Sequence, residues 1–287
     1  LIAFLLFLFS WGESWFSKFY IVFSPDILIS SVKAEENENF EIARIAESIT
    51  VRLEGATQGS GVLIKKDGNL YTVLTAWHVI KDNHPTEEVG IITVDGIEHI
   101  WDSKSLRKVP NIDMAVFNFK SVKDYEVAKI GNIDNVNAGQ EILVSGFPNP
   151  TSSVPISILR VLKGSVIANA SVAIPEGYTL LYSNKTLKGM SGGSILNYSG
   201  ELIGIHGRSE LDEISSDANK LISTGTNLGI PIKYYTNFLS GSKNSSLQTE
   251  NESADDFLVE AFNLFGDKDK ALEMLMLSKK SIALKPT

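Results

Sequence analysis

Between Ile49 and Pro231 the chain is a succession of short segments that alternate β-branched or apolar residues with polar ones and end in Gly, Asn or Asp. These segments include SITVRLEG, GSGVLIKKDG, LYTVLTA, EVGIITVDG, DMAVFNF, EILVSGF, ISILRVLKGSVI, TLLYS, GSILN and ELIGIHG. Alternation with a period of two is typical of strands that bury one face. No helical segment alternates with these strands, so the pattern predicts an all-β fold of antiparallel barrels or sandwiches, with enough strands for two small barrels.

The composition excludes several classes of function. The 287 residues carry a formal net charge of −8 and contain no run of Lys and Arg, which argues against a nucleic-acid partner. Without cysteine, the chain has neither disulfides nor a thiol nucleophile nor a zinc–cysteine site. No H-E-x-x-H motif occurs, so no metal cluster is indicated, with calcium sites on surface loops as the alternative. No cofactor is expected. The few histidines are scattered along the chain, at His78, His84, His99 and His206.

The N-terminal region differs in kind from the centre. Residues 1–34 contain two apolar stretches, LIAFLLFLF and FYIVFSPDILIS, and end in SVKA, where Val32 and Ala34 have the spacing that a signal peptidase accepts. They predict an export signal or, as the alternative, an uncleaved membrane anchor. Either one implies a secreted, periplasmic or cell-surface protein, with a membrane contact only if the segment is uncleaved.

The C-terminal region changes character twice. Residues 241–256 are mostly polar and contain no aromatic residue, which predicts a flexible linker. In residues 257–287 apolar residues recur at helical spacing, with a break at Gly266, and predict a short helical hairpin. This hairpin resembles a single tetratricopeptide-type unit, although its spacing between Ala271 and Pro286 is longer than in that family. Such a unit would bind a protein partner; an ordinary amphipathic helix pair is the alternative.

Three separate motifs could supply a nucleophile and its base. The segment KGMSGGS, residues 188–194, holds Ser191 among glycines that leave the backbone bare. A serine nucleophile needs a base and a third group that orients the base. His78 stands in VLTAWHVI at the end of an apolar strand, and Asp113 stands in NIDMAVFNF at the mouth of another. Taken singly, a turn serine, a core histidine and a turn aspartate remain alternatives.

Taken together, TAWHV, DMAV and GMSGGS resemble in order and separation the trypsin-like serine proteases of the chymotrypsin fold, in their bacterial form. The resemblance covers about residues 45–240 and implies two antiparallel six-stranded β-barrels, residues 45–125 and 126–240, within a protease domain of residues 35–240. It further implies that His78 is the general base and acid, Asp113 the residue that orients it, and Ser191 the nucleophile.

One rival enzyme class shares part of the serine motif. GMSGG also satisfies the G-x-S-x-G elbow of α/β-hydrolases. That elbow leads into a helix, whereas SILNYSGELIGI after Ser191 has the pattern of a hairpin. In addition, His78 and Asp113 both precede the serine, while elbow enzymes have the order Ser, acid, His. Both observations disfavour the hydrolase fold.

The resemblance also implies how the site stabilises charge. It assigns the oxyanion hole to the backbone N–H groups of Gly189 and Ser191, which need an approach free of side chains. Replacement of Gly189 by Ala should then affect catalysis more than folding, unless the position requires a positive φ. Met190 stands where animal members carry an Asp, so activation through pairing with a new N-terminus is not expected.

The residues around the expected substrate pocket suggest a preference for acidic side chains. The resemblance places Lys185 and Thr186 on one wall and His206 on the other, as in the glutamyl endopeptidase branch. An imidazole and a hydroxyl can donate hydrogen bonds to a carboxylate, and Lys185 would add positive charge. A histidine that only packs between strands is the alternative reading of His206.

The sequence thus predicts an exported serine endopeptidase that hydrolyses peptide bonds in protein or peptide substrates through an acyl-enzyme. The alternative is a catalytically silent scaffold that recruits partners through its helical tail. A quality-control protease of the high-temperature-requirement type would have a peptide-binding β domain after residue 240. The helical pattern of the tail argues against that type.

Overall fold

The computed structural model describes residues 40–84, 86–171, 174–213, 221–241, 257–258, 261 and 270–284. These residues form two antiparallel sheets, which confirms the predicted all-β, chymotrypsin-like fold. The strands of the first sheet are β1 Thr50–Glu54, β2 Gln58–Asp67, β3 Leu70–Thr75, β4 Gly90–Ile92, β5 Glu98–Ile100, β6 Asp102–Lys108 and β7 Ala115–Lys120. Those of the second are β8 Glu141–Gly146, β9 Arg160–Asn169, β10 Leu180–Tyr182, β11 Ser194–Leu196, β12 Leu202–Glu213 and β13 Leu221–Pro231.

The first sheet departs from the predicted closed barrel of six strands. It has seven strands in the order β5-β4-β1-β2-β3-β7-β6, with β5 and β6 at its edges. Strand β5 has only three residues, and the pairing of β6 with β7 shifts register between Asp102 and Arg107. An edge that is short on one side and irregular on the other offers no continuous ladder through which the sheet could close.

The second sheet closes into a barrel of six strands in the order β10-β13-β12-β11-β8-β9, as predicted. Its interior is filled by apolar side chains from alternate positions, among them Val144, Tyr182, Ile195 and Ile203, all buried. Strands β11 and β12 form the hairpin predicted after Ser191. The absence of a helix directly after this serine removes the α/β-hydrolase elbow.

The α-helices with a continuous described range are α1 (residues 40–49), α2 (Trp77–Ile80), α3 (Lys233–Leu239) and α4 (Ala271–Leu284). Short 3-10 helices span Ile133–Asn135 and Pro175–Gly177. The sequence analysis did not predict α1, which buries Ile42, Ala46 and Ile49 in the core of the first sheet. Among the described residues, no helix combines the length and the apolar character needed to span a membrane.

Several predicted segments lie partly or wholly outside the described residues. The expected export signal or anchor, residues 1–34, is outside them, as is almost all of the linker at 241–256. The predicted helical hairpin at 257–287 is represented by helical residues 257–258 and 261 and by α4. Its interpretation as a tetratricopeptide-type unit stays a prediction.

The two sheets meet along a seam of buried hydroxyl groups. Thr50 Oγ1 on β1 lies 2.7 Å from Ser145 Oγ on β8, which lies 2.6 Å from Ser194 Oγ on β11. Nearby, the Ser60 amide on β2 donates to the carbonyl oxygen of Ser191 at 2.8 Å. The seam therefore holds the segment that precedes β11 against the first sheet.

Candidate active site

The position of His78 follows from the burial pattern of helix α2. Trp77, Val79 and Ile80 are buried and anchor this single helical turn, whereas the His78 side chain is 36% exposed. The sequence analysis expected His78 at the end of a strand. Strand β3 instead ends at Thr75. The helical turn that follows directs the imidazole away from the core, since its neighbours occupy the core-facing positions.

Asp113, two residues before β7, is in direct contact with His78. Its Oδ2 lies 2.6 Å from His78 Nδ1, and its Oδ1 accepts the backbone N–H of His78 at 2.8 Å. A carboxylate can only accept hydrogen bonds, so the ring proton of neutral His78 is on Nδ1. The lone pair of Nε2 is therefore the free base of this ring.

Asp113 is held in its ionised form although it is buried. Burial opposes the negative charge, but hydrogen bonds and charge from His78, together with a hydrogen bond from the Tyr178 hydroxyl, lower the pKa of Asp113 below its usual value. The contribution of this ionised group to stability is present above the pKa of the unfolded chain. It is lost as the pH falls through the lower pKa of the folded state.

Ser191 is linked to this pair only through its neighbours: its hydroxyl bonds Gly207, Gly207 lies against the Tyr178 ring, and Tyr178 bonds Asp113. No hydrogen bond joins the Ser191 hydroxyl to His78 in the described part of the chain. The Ser191 hydroxyl donates to the carbonyl oxygen of Gly207 on β12 at 2.8 Å. It makes no other hydrogen bond among the described residues. Catalytic hydrogen bonds in unliganded sites are often loose and tighten when substrate binds. Rotation about χ1 of Ser191 would free the hydroxyl from Gly207.

The segment that carries the expected oxyanion hole is fixed from both sides. The carbonyl oxygen of Lys188 accepts the Asn149 amide at 2.8 Å, and that of Gly189 accepts the Ser60 hydroxyl at 3.1 Å. Within the described residues, neither the Gly189 nor the Ser191 backbone N–H donates to a protein acceptor. Because the peptide is trans, the Gly189 N–H points opposite to the anchored Lys188 carbonyl. The oxyanion hole assigned to these two N–H groups stays a prediction.

Gly189 occupies a position that requires a positive φ. Its φ is +97°, a left-handed conformation that disfavours side chains, and an added Cβ would lie 2.4 Å from Asn149 Oδ1 and 2.5 Å from Asn149 N. Replacement by Ala would therefore strain the local backbone. It cannot report on the oxyanion hole alone.

The residues predicted to line the substrate pocket form two polar groups. In the first, the hydroxyls of Thr186 and Ser209 donate to Asn227 Oδ1 at 2.6 and 3.0 Å. Strand β10 ends at Tyr182, and Thr186 lies in the irregular segment that follows it. Lys185 is exposed. Asn227 was not predicted, because its role depends on contacts that the sequence does not display.

The second polar group contains His206. Its Nδ1 lies 2.5 Å from the Tyr182 hydroxyl. Burial raises the pKa of Tyr182 well above its ordinary value, so the phenol keeps its proton and donates it to Nδ1. Burial and then the nearby His78 charge lower the pKa of His206 to about 3. The neutral ring carries its proton on Nε2, which donates to no acceptor among the described residues.

The lowered pKa of His206 has a consequence for stability. Between the unfolded pKa near 6.5 and the folded pKa of about 3, the unfolded chain binds a proton that the folded chain does not. Stability therefore falls as the pH is lowered through this window. From pH 7 to pH 4.5 the His206 contribution is roughly 3 kcal/mol. Urea unfolding at the two pH values measures the loss of unfolding free energy on acidification. In His206→Gln this loss should be smaller than in the wild-type protein by about the same amount. Equal losses in both proteins would contradict it.

The described residues contain no group of three or more His, Cys, Asp or Glu side chains that could hold a metal ion. What they contain is an ionised carboxylate in contact with an imidazole whose other nitrogen is free, a serine hydroxyl, and two backbone amides that donate to no acceptor among these residues. This combination defines a serine-peptidase-type site on a chymotrypsin-like fold.

Comparison with known proteins agrees with this class. The family model described as "Trypsin-like peptidase domain" matches residues 59–205, just over half of the chain, and the protein belongs to this family. The match contains His78, Asp113 and Ser191, although their roles remain predictions.

Curated relatives are periplasmic or HtrA-type proteases by name. A probable periplasmic serine endoprotease DegP-like of Pseudomonas fulva is 32% identical over 154 residues, which cover 53% of this chain and 29% of that protein. Periplasmic serine endoprotease DegP of Escherichia coli is 28% identical over 153 residues, 52% of this chain and 29% of its own length. Serine protease Do-like HtrA of Lactobacillus helveticus is 24% identical over 156 residues, 54% of this chain and 36% of its own length.

The aligned region thus spans about a third of these relatives or less. The sequence analysis set the high-temperature-requirement type aside because of the helical tail. The peptidase region is nevertheless similar to proteases of that type, while residues 271–284 form a helix. A helical tail thus occurs together with a peptidase region similar to that type.

Proposed function

We propose that this protein is a serine endopeptidase that cleaves protein or peptide substrates without a cofactor. The observation that carries the proposal is the contact between Asp113 and His78 at 2.6 Å. Ser191 and the Gly189 and Ser191 amides, which have no protein acceptor among the described residues, supply the other groups. Each part has a counterpart in the requirements of acyl transfer: a nucleophile, a base, a group that orients the base, and donors for an oxyanion.

The proposed reaction starts with rotation of the Ser191 hydroxyl from Gly207 towards His78. Nε2 of His78 takes the proton while Oγ attacks the substrate carbonyl carbon, and the carbonyl oxygen becomes an oxyanion between the Gly189 and Ser191 amides. His78 then protonates the leaving amine, and an acyl-enzyme remains on Ser191. A water molecule activated by His78 releases the second product and restores the serine.

A fluorophosphonate probe tests this proposal directly, because it reacts only with an activated serine. The expected result is labelling of the wild-type protein, with the adduct located on Ser191 by mass spectrometry, and no labelling of Ser191→Ala. Ser194→Ala is the matched control, since Ser194 lies in the same motif but bonds within the buried seam. Absence of labelling in the folded wild-type protein would favour the alternative, a silent scaffold that recruits partners.

We further propose that the enzyme prefers Glu or Asp before the scissile bond. The support is the neutral His206, whose Nε2–H is left without a protein acceptor among the described residues, together with the hydroxyls of Thr186 and Ser209 around Asn227. The Nε2–H of His206 would donate to a carboxylate directly, whereas each hydroxyl would do so by turning its single proton away from Asn227 Oδ1. Lys185 would add positive charge at the rim.

The specificity is tested with three peptides that differ only in Glu, Gln or Leu at that position. We expect kcat/KM to be about tenfold higher for Glu than for Gln, as a charge-assisted hydrogen bond provides. In His206→Phe the Glu peptide should lose this advantage while the Leu peptide is affected less. Equal rates for the three peptides would refute the preference and leave the endopeptidase assignment intact.

We also propose that the protein acts outside the cytoplasm. The support is the sequence of residues 1–34 and the periplasmic location in the names of two relatives. Fractionation of producing cells should recover the protein outside the cytoplasmic fraction. Recovery with cytoplasmic markers would contradict the proposal.

A further inference from the structure

Tyr178 makes a contact with Asp113 that the sequence analysis did not anticipate. Its hydroxyl donates to Asp113 Oδ2, the same oxygen that faces His78 Nδ1. The Tyr178 side chain is fully buried. Burial, and then the charge of Asp113, raise the pKa of Tyr178, so its hydroxyl remains protonated and acts as the donor.

The ring of Tyr178 fits only because residue 207 is a glycine. A Cβ on Gly207 would lie 2.1 Å from Cε1 and 2.8 Å from the hydroxyl oxygen of Tyr178. The carbonyl of the same glycine accepts the Ser191 hydroxyl. The phenol therefore occupies the space between the strand that contacts the serine and the carboxylate that contacts the histidine.

One face of the Tyr178 ring is covered by Arg208. The guanidinium carbon lies 4.2 Å from the centroid of the Tyr178 ring, and Nη2 lies 3.0 Å from Glu176 Oε2. Packing between Gly207 and Arg208 leaves the ring few alternative orientations. The hydroxyl is thereby aimed at Asp113.

The backbone before Tyr178 also holds Asp113. The carbonyl oxygen of Glu176 accepts the Asp113 amide at 2.9 Å. Glu176 has φ +60°, a left-handed conformation uncommon for a residue with a side chain. Strain of this kind persists where surrounding contacts enforce it, and it is often found near functional sites.

We propose that Tyr178 is a positioning residue for catalysis, which fixes the Asp113 carboxylate so that Oδ2 faces His78 Nδ1. The inference rests on the proposed peptidase function. A hydrogen bond to the oxygen that also binds the imidazole limits rotation of the carboxylate and shares its negative charge. The other charged or titratable groups near this pair are His206, Glu176 and Arg208.

The test is Tyr178→Phe, which removes the hydroxyl and keeps the ring. We expect kcat for a peptide substrate to fall about tenfold with little change in KM, because a hydrogen bond to a charged group is lost near the reacting centre. The charge of Asp113 would then be less shared, and protonated His78 would be favoured. The acidic limb of the kcat/KM pH profile should move up by roughly half a pH unit or more.

Tyr71→Phe is the matched control, because Tyr71 is a fully buried tyrosine in the first sheet whose hydroxyl donates to the Lys123 carbonyl. It should lower the melting temperature without moving the pH profile. A Tyr178→Phe protein with wild-type kcat and an unmoved acidic limb would overturn the proposal.

The two failures are distinguishable. If wild-type protein neither reacts with the fluorophosphonate probe nor cleaves peptide, the peptidase function itself is wrong. If the wild-type protein is active and the kcat of Tyr178→Phe falls only in proportion to its folded fraction, the peptidase function stands and the role of Tyr178 is structural. Arg208→Leu uncovers one face of the ring and keeps the Tyr178 hydroxyl. It should change kcat and the acidic limb in the same direction as Tyr178→Phe, but by a smaller amount.

Discussion

Replacing His78 by Ala is expected to lower kcat for peptide hydrolysis about a millionfold, the scale found when the base or nucleophile of a serine peptidase is removed. Without Nε2, no group in contact with Asp113 can take the Ser191 proton. What remains is substrate binding and stabilisation of the oxyanion by the Gly189 and Ser191 amides, which act without a base. The measurement is single-turnover cleavage of a fluorogenic peptide.

The fold should survive this substitution. The buried residues Trp77, Val79 and Ile80 anchor α2, while the His78 side chain is partly exposed, so its removal leaves no sealed cavity. His99→Ala is the control, since His99 is a partly buried histidine that bonds the Tyr125 hydroxyl at 3.0 Å, in the first sheet. It should retain wild-type kcat.

A double variant that lacks both His78 and Ser191 gives a second test of the proposed base. Because His78 and Ser191 would act as one unit, Ser191→Ala combined with His78→Ala should be no slower than either variant alone. Multiplied losses would mean that the two residues contribute independently. That outcome, or a His78→Ala protein within tenfold of wild type, would rule out the proposed base.

Alternation in the sequence was sufficient to locate most strands, because one-sided burial in an antiparallel sheet imposes a period of two. Segments such as LYTVLTA and EILVSGF became β3 and β8. Strand β6, DSKSLRK, was not identified, because it lies at an edge and most of its side chains are not buried. Helix α1 was also missed. Its buried residues 42, 46 and 49 have the helical spacing i, i+4, i+7, but the segment is short and directly follows an acidic stretch.

The motifs predicted which residues belong to the candidate site but not the contacts that position their side chains. The contact between Asp113 and His78 joins positions 35 residues apart, and the expected order of motifs was sufficient to pair them. Tyr178 and Asn227 lie in segments without a distinctive pattern. Their importance depends on where distant strands place a hydroxyl and an amide, which local sequence does not encode. The same reason explains why the hydrogen bond from Ser191 to Gly207 was not anticipated.

Asp113→Asn is expected to lower kcat about ten-thousandfold while the protein remains folded, because the amide reverses the hydrogen-bond pattern at His78. If the Asn oxygen keeps the backbone N–H of His78, its NH2 group faces Nδ1 and must donate to it. The imidazole proton then moves to Nε2. In that tautomer His78 presents an N–H to Ser191 and cannot act as its base.

The alternative orientation of the Asn amide does not restore activity. With the amide turned over, its NH2 group would face the backbone N–H of His78, and two donors would oppose each other at a buried position. The control is Asp95→Asn, which alters a carboxylate whose partners are Thr93 and Lys123 rather than residues of the proposed site. It should keep wild-type kcat. An Asp113→Asn protein with kcat within tenfold of wild type would show that the tautomer of His78 does not depend on Asp113, and the proposed catalytic pair would have to be abandoned.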